Sequence, residues 1–356
     1  MQLPKIINSG EWREGHIQGI AVDTKKGFVY YSFTNILLKT DLCGTPVGSV
    51  ERLAGHLGCI TLNSDDGCVY GSLELKHDAI GSGIIARTGW DPSSEDSFYL
   101  VRFDVDRITR MNMDAERDGI MSAVYLRDVV RDYADTDEVS GKKHRYGCSG
   151  IDGTAYGPVF GAPADSRKKL MVAYGIYSDR ERSDNDNQVI LQLDPDVFKT
   201  YGRPLDQTAP HHSGPETAEA RYFLYTGNTT YGVQNLEYDA HSGNWLVSVY
   251  MGSKESFTNF PLFICDGTKA ATEADIVGRD GERGLVLALA DLGEEGARGI
   301  HGSRFPHGST GVASLGDGRF YFSIPYSESR EDGKYFGSDL TLYRYAPDSK
   351  ELFELA

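Results

Sequence analysis

Short apolar runs separated by clusters of turn residues dominate the chain. Residues 15–34, GHIQGIAVDTKKGFVYYSFT, place two runs of strand-forming residues on either side of a polar turn at 23–27. Asp, Lys and Gly in such a turn supply positive φ angles and side-chain-to-backbone hydrogen bonds. The pattern therefore predicts a β-hairpin.

The same hairpin recurs along the chain. When Ile20 is aligned with Ile60, His16 and His56 each lie four residues earlier, and a serine lies twelve residues later in both copies. Further copies have first strands near residues 151, 236 and 312. The copy near residue 151 has an expanded turn, so its second strand is expected near 170–177. Recurrence in phase is the signature of a repeat architecture.

Two further strand candidates follow each hairpin, which gives five units of four strands. A single four-stranded antiparallel sheet cannot bury both of its faces, whereas five sheets packed radially can. We therefore predict an all-β protein, a five-bladed β-propeller of four-stranded antiparallel blades. A β-sandwich also contains many short strands, but it does not explain why one hairpin recurs in phase.

The repeat also predicts the division of the chain. We expect a single domain over residues 1–356, with blades near 10–55, 56–130, 147–227, 231–292 and 307–356. The N-terminal segment LPKIINSG is placed to close the last blade and so to remove an exposed edge. In blade 4, FPLFICDG and GLVLALADL are expected to supply the third and fourth strands.

Long insertions are expected to mark the functional face, because loops tolerate length and carry binding groups. They cover residues 76–97, 130–147, 178–187, 199–220 and 293–307. Residues 113–135 are the best alternative for a helix.

Composition narrows the range of partners and compartments. The formal net charge of −16 would repel a phosphate backbone, so nucleic acid and anionic membrane are not expected as partners. The longest apolar runs fall short of the ~20 residues that a membrane-spanning helix needs. Five scattered cysteines without a CxxC motif suit reduced thiols, and the first residues have no secretory pattern. We therefore expect a cytoplasmic protein.

The repeat brings candidate site residues together. The first strand of every blade lines the central channel, so side chains at the starts of equivalent strands should converge on one mouth. A convergent set of polar groups in a concave place is the usual form of a binding site. The candidate catalytic residues are His16, His56, Glu74, Asp152 and His307, and the candidate ligand-binding residues are Gln18, Ser149, Gln234, Asn235, Thr310 and Tyr326.

Three kinds of chemistry fit these residues. A histidine could act as a general base near neutral pH. Glu74, with His77 and Asp78 nearby, supplies the carboxylates and imidazole that glycoside or ester hydrolysis uses. Three histidines could instead hold a metal with one position open to water, or could simply bond the backbone of neighbouring blades. The sequence does not specify a metal or a cofactor.

The first copy resembles the opening blade of the arabinanase and xylosidase group of glycosidases. The resemblance lies in His16-Ile17-Gln18 before the first strand and in Tyr30-Tyr31-Ser32-Phe33 in the second. It implies a five-bladed propeller with a sugar site. Ile17 stands where that group has its catalytic base, so the inverting two-carboxylate mechanism does not transfer to this position. The loop-rich sheets are similar also to lactonase-like propellers with a channel metal, although no acidic ligand set matches.

These observations favour a propeller that binds a small polar ligand, a sugar, at its channel mouth, with hydrolase or lyase activity. The alternative is a non-enzymatic scaffold that binds a protein partner and whose channel residues are structural.

Overall fold

Five sheets stand around a common axis in the computed structural model, which describes residues 3–90 and 95–356. The inner strands of successive blades contact one another in turn, and the inner strand of blade 5 returns to that of blade 1. The chain is therefore a five-bladed β-propeller, as the repeat predicts.

Blades 1 and 2 follow the predicted order of four antiparallel strands from the axis outward. A short segment, Met113–Asp114, adds in parallel to the outer edge of blade 1. The strands of blade 1 are Ile17–Asp23, Phe28–Phe33, Ile36–Asp41 and Pro46–Glu51, and those of blade 2 are His56–Leu62, Val69–Leu75, Ser97–Phe103 and Met121–Tyr125.

Blade 3 contains two strands more than predicted, and blade 4 has a shorter ladder. A two-stranded piece, Glu294–Glu295 with His301–Gly302, lies after blade 4. The strands of blade 3 are Cys148–Pro158, Lys168–Ile176, Asn187–Leu193, Ala220–Tyr225, Arg283–Leu287 and Thr272–Asp275, and those of blade 4 are Thr229–Asp239, Asn244–Met251 and Leu262–Cys265.

Blade 5 is closed by both ends of the chain. Its first three strands are Val312–Ser314, Arg319–Arg330 and Gly333–Tyr345. The N-terminal strand Ile6–Asn8 and the C-terminal strand Phe353–Leu355 both pair with the third of these. This pairing gives blade 5 an outer edge built from the two termini, so the expected role of the N-terminal strand is confirmed.

Within residues 3–90 and 95–356, three α-helices lie outside the blades: α1 (Ala79–Thr88), α2 (Arg127–Ala134) and α3 (Val197–Tyr201). The helix considered for residues 113–135 forms only over α2, because the preceding Met121–Tyr125 pairs with Ser97–Phe103 as a strand. Helix α1 falls within the predicted insertion 76–97, of which residues 91–94 lie outside the described residues.

The described residues form five apolar core clusters, one at each interface between neighbouring blades. Successive side chains of a strand point to opposite faces, so one strand supplies two clusters. Tyr30 packs towards blade 2, for example, and the next residue, Tyr31, packs towards blade 5. Both faces of most blades are therefore buried.

Serines in the second strands join neighbouring blades. The Ser32 hydroxyl donates to the Gly58 carbonyl at 2.7 Å, and the Ser72 hydroxyl donates to the Asp152 carbonyl at 2.8 Å. Each bond runs from the second strand of one blade to the inner strand of the next, so these serines are structural.

The prediction for the fourth strand of blade 4 is wrong. Arg283–Leu287 pairs in parallel with Ala220–Tyr225 and extends blade 3, and only Leu289 reaches blade 4, through a single bridge to Cys265. The turn before this strand is fixed to blade 3 by an ion pair between Arg279 and Asp137, both buried. The ion pair links residues more than a hundred positions apart, and the strand pairing joins Tyr222 to Leu285, so the local pattern does not contain these contacts.

Candidate functional site at the channel mouth

One cavity of about 350 Å³ opens at the mouth where the inner strands begin. Blades 1 to 4 and helix α1 contribute to its lining. Seven of the predicted residues line it: His16, Gln18, His56, Glu74, Ser149, Asp152 and Gln234. The structure thus brings together side chains that are spread over more than two hundred residues of sequence.

β-Bulges in the inner strands place four of these side chains. The register is interrupted at Gln18 in blade 1, at Ser149 and again at Asp152 in blade 3, and at Gln234 in blade 4. A bulge inserts an extra residue into the ladder and re-aims its side chain. The irregularities therefore turn these polar groups towards the mouth.

Two carboxylates flank one imidazole at the floor of the cavity. His56 Nδ1 lies 3.7 Å from Glu74 Oε2 and 3.6 Å from Asp152 Oδ1. His56 and Glu74 are paired across the first two strands of blade 2, and Asp152 comes from blade 3. The side chains of His56 and Asp152 are each 12% exposed, so both reach the cavity from a largely buried position.

Backbone geometry fixes Glu74. Gly150 has φ +127°, and a Cβ at this position would lie 1.8 Å from Glu74 Oε1. The Ile151 N–H donates to the same carboxylate oxygen. Only glycine permits this approach, so blade 3 holds the carboxylate of blade 2 at the interface.

Lys76 balances the charge of Glu74. Its ammonium lies 2.8 Å from Glu74 Oε2 and 3.3 Å from Asp78 Oδ2, and it donates to the Ser149 carbonyl at 2.7 Å. The side chains of Lys76 and Glu74 are each only 3% exposed. Sequence reasoning missed Lys76, although its position two residues after Glu74 indicates the same face of the strand.

The two carboxyl groups have different environments. Burial, followed by the charge of Glu74, raises the pKa of Asp152 well above its ordinary value. Burial also raises the pKa of Glu74, but the adjacent Lys76 ammonium acts against this rise. Asp152 therefore holds a proton more readily, and the Gln234 amide donates to its Oδ2 at 3.0 Å.

The imidazole of His56 is neutral at physiological pH. Burial, reinforced by the positive charge of Lys76, lowers its pKa to about 3. Within the described residues, Nδ1 of His56 has no hydrogen-bond partner. A neutral imidazole therefore lies beside a carboxyl group whose pKa is raised, which places a hydrogen-bond acceptor and a group that keeps its proton more readily at the same place.

Helix α1 covers one side of the mouth. Asp78 caps it by accepting from the backbone N–H groups of Ile80 and Gly81, at 3.0 and 2.9 Å. Ile80 and Ile84 line the cavity, as does Arg87, whose guanidinium donates to the Asn35 side chain. Sequence reasoning missed this helix, because its residues read as a loop.

A second compartment of about 390 Å³ adjoins the first, since His16 and Tyr250 line both. His307, Thr310 and Tyr326 line this compartment, so these three predicted residues lie at the same mouth but away from the carboxylates. His307 packs against the ring of Phe305, with centroids 5.2 Å apart.

The three histidines do not form a metal site. His56 lines only the first compartment, and His307 only the second. Among residues 3–90 and 95–356, no group of three or more His, Cys, Asp or Glu side chains is placed to hold a metal ion.

Asn235 lies below the mouth and lines neither compartment. Its amide donates to the Gln18 carbonyl at 2.8 Å and to the Ser309 carbonyl at 3.1 Å. It therefore connects blade 4 with blades 1 and 5 and helps to close the channel.

Aromatic side chains complete the wall of the first compartment. Tyr231 and Tyr250 both line it, and Tyr231 is 38% exposed. The sequence offered tyrosines at many strand positions and no signal to separate these two from those that pack between blades.

No protein-family model and no curated protein matches this chain. Among solved structures, it is similar to a GH43 β-1,3-galactosidase with galactodeoxynojirimycin, at 12% identity and a TM-score of 0.41, over 98% of this chain and 97% of that one. It is also similar to the periplasmic gluconolactonase of Pseudomonas aeruginosa, at 9% identity and a TM-score of 0.33, over 95% and 70% of the two chains.

A third similar structure is the PQQ domain of pyranose dehydrogenase from Coprinopsis cinerea, at 12% identity and a TM-score of 0.35, over 90% and 81% of the two chains. At these identities and scores the neighbours carry no argument about activity. In the described part of the chain, no helix has the length and apolar character needed to cross a membrane.

Proposed function

We propose that the channel mouth binds a small polar ligand of the carbohydrate class and acts on it as a hydrolase or lyase. The observation that carries this proposal is the placing of Asp152 and Glu74 beside one nitrogen of His56, at the floor of an open cavity. Sugars present hydroxyl groups to polar side chains and apolar ring faces to aromatic ones. Gln18, Gln234 and the two tyrosines provide both kinds of contact.

The proton chemistry follows from the environments of these groups. Asp152, whose pKa is raised by burial and by Glu74, would donate a proton to a leaving oxygen. Neutral His56 would accept a hydrogen bond from water at Nδ1 and orient the water for attack, because a pKa of about 3 makes it too weak a base to remove the proton itself. Glu74, paired with Lys76, would stabilise positive charge that develops on the sugar ring.

A panel of sugars tests the proposal. Saturation-transfer NMR with neutral and acidic mono- and disaccharides should detect binding at millimolar concentration, and chromogenic aryl glycosides should report hydrolysis. Asp152→Asn and His56→Ala should each lower turnover at least about 100-fold, with the melting temperature retained. Asp196→Asn, an exposed carboxylate on blade 3 that pairs with Arg167 and Lys199, is the matched control.

Two outcomes would refute the proposal. One is that no member of the panel binds. The other is that ligand binding and turnover survive both substitutions in the cavity.

A non-enzymatic scaffold that binds a protein partner is a second candidate function, and the closed channel favours it. Asn235 ties three blades together below the mouth, as a purely structural channel requires. In that case, His56→Ala and Asp152→Asn would change stability and no sugar would bind.

A further inference from the structure

A separate cavity of about 380 Å³ lies at the opposite mouth of the channel, where the inner hairpins turn. All five blades contribute to it. Its lining includes Asp23 and Lys25 of blade 1, Ser64 of blade 2, Lys168 of blade 3, Glu237 of blade 4 and Ser314 of blade 5. None of these residues lines the two compartments at the other mouth, so this cavity is independent of the proposed function.

Glu237 and Asp23 are the two carboxyl groups in the lining of this cavity, and Asp23 accepts hydrogen bonds from the backbone N–H groups of Lys25 and Lys26 in its own turn, at 3.0 and 2.9 Å. Glu237 is the carboxyl group set away from the lysine turn. It lies on the inner strand of blade 4 and accepts a hydrogen bond from the Ser314 N–H of blade 5 at 2.8 Å. In the described part of the chain, no lysine, arginine or histidine forms an ion pair with it, and the groups that act on its carboxyl are the Ser314 N–H and Asp239. Burial raises the pKa of Glu237 to about 8, and the nearby Asp239 adds to this rise, while the Ser314 N–H opposes it. The carboxyl group therefore lacks a cationic partner.

Lysines occupy the hairpin turns around the cavity. Lys168 lies over the Tyr156 ring, 5.4 Å from its centroid, and donates to the Ser64 hydroxyl at 3.3 Å. Lys26 is paired with Asp106 at 2.6 Å, whereas Lys25 makes no ion pair with any described residue. The inner strand thus carries the negative group, and the solvent-facing turns carry positive ones.

This arrangement, with a carboxyl group on the inner strand and lysines nearer the solvent, indicates the charges that a ligand should carry. A plain cation would be attracted by Glu237 but repelled by the lysines, and a plain anion would be attracted by the lysines but repelled by an ionised Glu237. A molecule with a positive group at one end and a negative group at the other satisfies both. The volume suits a ligand of small-molecule size.

We propose that this cavity binds a small zwitterion, with its ammonium group against the Glu237 carboxylate and its carboxylate towards Lys25 and Lys168. The proposal concerns binding only, and no bond is made or broken.

A matched set of probes tests it on the full chain. Isothermal titration with glycine, 4-aminobutyrate and 6-aminohexanoate provides zwitterions of increasing length, and n-butylamine and butyrate provide each charge alone. At least one zwitterion should bind, with an affinity at least about tenfold above both single-charge probes.

The pH dependence provides a second readout. The groups near Glu237 that could titrate or carry charge are Asp23, Lys25 and Lys26 of blade 1, Cys59 of blade 2, Tyr156 and Lys168 of blade 3, and Tyr238 and Asp239 of blade 4. An ammonium ligand favours the ionised carboxylate, so its affinity should rise roughly 20-fold from pH 6.5 to 8.5, with proton release at pH 7.

Glu237→Gln keeps an acceptor for the Ser314 N–H and should abolish both the binding and its pH dependence, while the circular dichroism spectrum is unchanged. Lys168→Met should weaken binding of the zwitterion, and it should strengthen binding of n-butylamine because one repelling positive charge is removed. Asp152→Asn, at the other mouth, should bind as the wild type does.

The proposal is overturned if none of the three zwitterions binds at 20 mM, if n-butylamine binds as tightly as they do, or if Glu237→Gln retains their affinity.

Discussion

Replacing Lys76 by Met removes the ammonium at the floor of the channel mouth and keeps most of the apolar stem. The substitution leaves Glu74 without its closest cation and the Ser149 carbonyl without its donor. Both side chains of the Lys76–Glu74 pair are 3% exposed, so little water reaches the atoms that lose their contacts. Breaking a buried ion pair on one side costs about 3–5 kcal/mol.

This loss translates into a measurable shift in melting temperature. Unfolding entropies of about 2.1 cal/mol/K per residue give roughly 0.75 kcal/mol/K for a chain of this length, so the melting temperature should fall by about 4–7 °C. Differential scanning calorimetry measures it. Lys26→Met is the matched control: its partner is Asp106, the two side chains are 38% and 62% exposed, and the expected loss is below about 1 kcal/mol.

The deficit should also depend on pH. Without the cation, the pKa of Glu74 in the folded state rises further above its unfolded value, and a raised carboxyl pKa means that stability is lost as pH increases. The difference from wild type should therefore be larger at pH 8 than at pH 5, and Glu74→Gln in the same chain should recover most of it. If Lys76→Met costs no more than Lys26→Met, the reasoning about this cluster is wrong.

Three further predictions concern the framework of the two mouths. Gly150→Ala would place a methyl group on the Glu74 carboxylate and should lower the free energy of unfolding by at least about 3 kcal/mol, measured in thermal melts. The control Gly141→Ala lies in open space at φ +65° and should cost only about 1 kcal/mol. Equal effects of the two substitutions would contradict the assigned contact. Ser72→Ala removes the bond to the Asp152 carbonyl and should cost about 1–2 kcal/mol in denaturant titrations, and no change would show that the bond is not needed. The free energy of unfolding of the wild type should fall relative to that of Glu237→Gln as pH rises from about 4.5 towards 8, because burial raises the pKa of the Glu237 carboxyl group to about 8. The change in this difference should be at most roughly 4 kcal/mol. Parallel pH profiles of the two proteins would refute the prediction.

Much of the candidate site could be located from the sequence, because equivalent positions in the repeats lie at the same end of the channel. His16 and His56 occupy equivalent positions in two copies, so convergence of their strands was sufficient to put them at one mouth. The same argument did not distinguish residues that line the cavity from residues with a structural role. Asn235 ties blades together below the mouth, and His307 packs on an aromatic ring, although both stand close to equivalent positions. Which way a side chain points near a bulge depends on the register between strands, and a single chain does not reveal that register.

The sequence by itself determined the five hairpins, the order of most strands and the closing N-terminal strand, because two-residue alternation and turn chemistry are local properties. Only the tertiary structure decided that Arg283–Leu287 joins blade 3, that α1 covers the mouth, and that Lys76 neutralises Glu74. The first two depend on contacts between distant parts of the chain, such as Arg279 with Asp137. The third joins neighbouring residues, but it depends on blade 3, where the Ser149 carbonyl accepts from Lys76 and the Ile151 N–H donates to Glu74. The same holds for the pKa of Asp152, which is set by burial and by Glu74 from another blade.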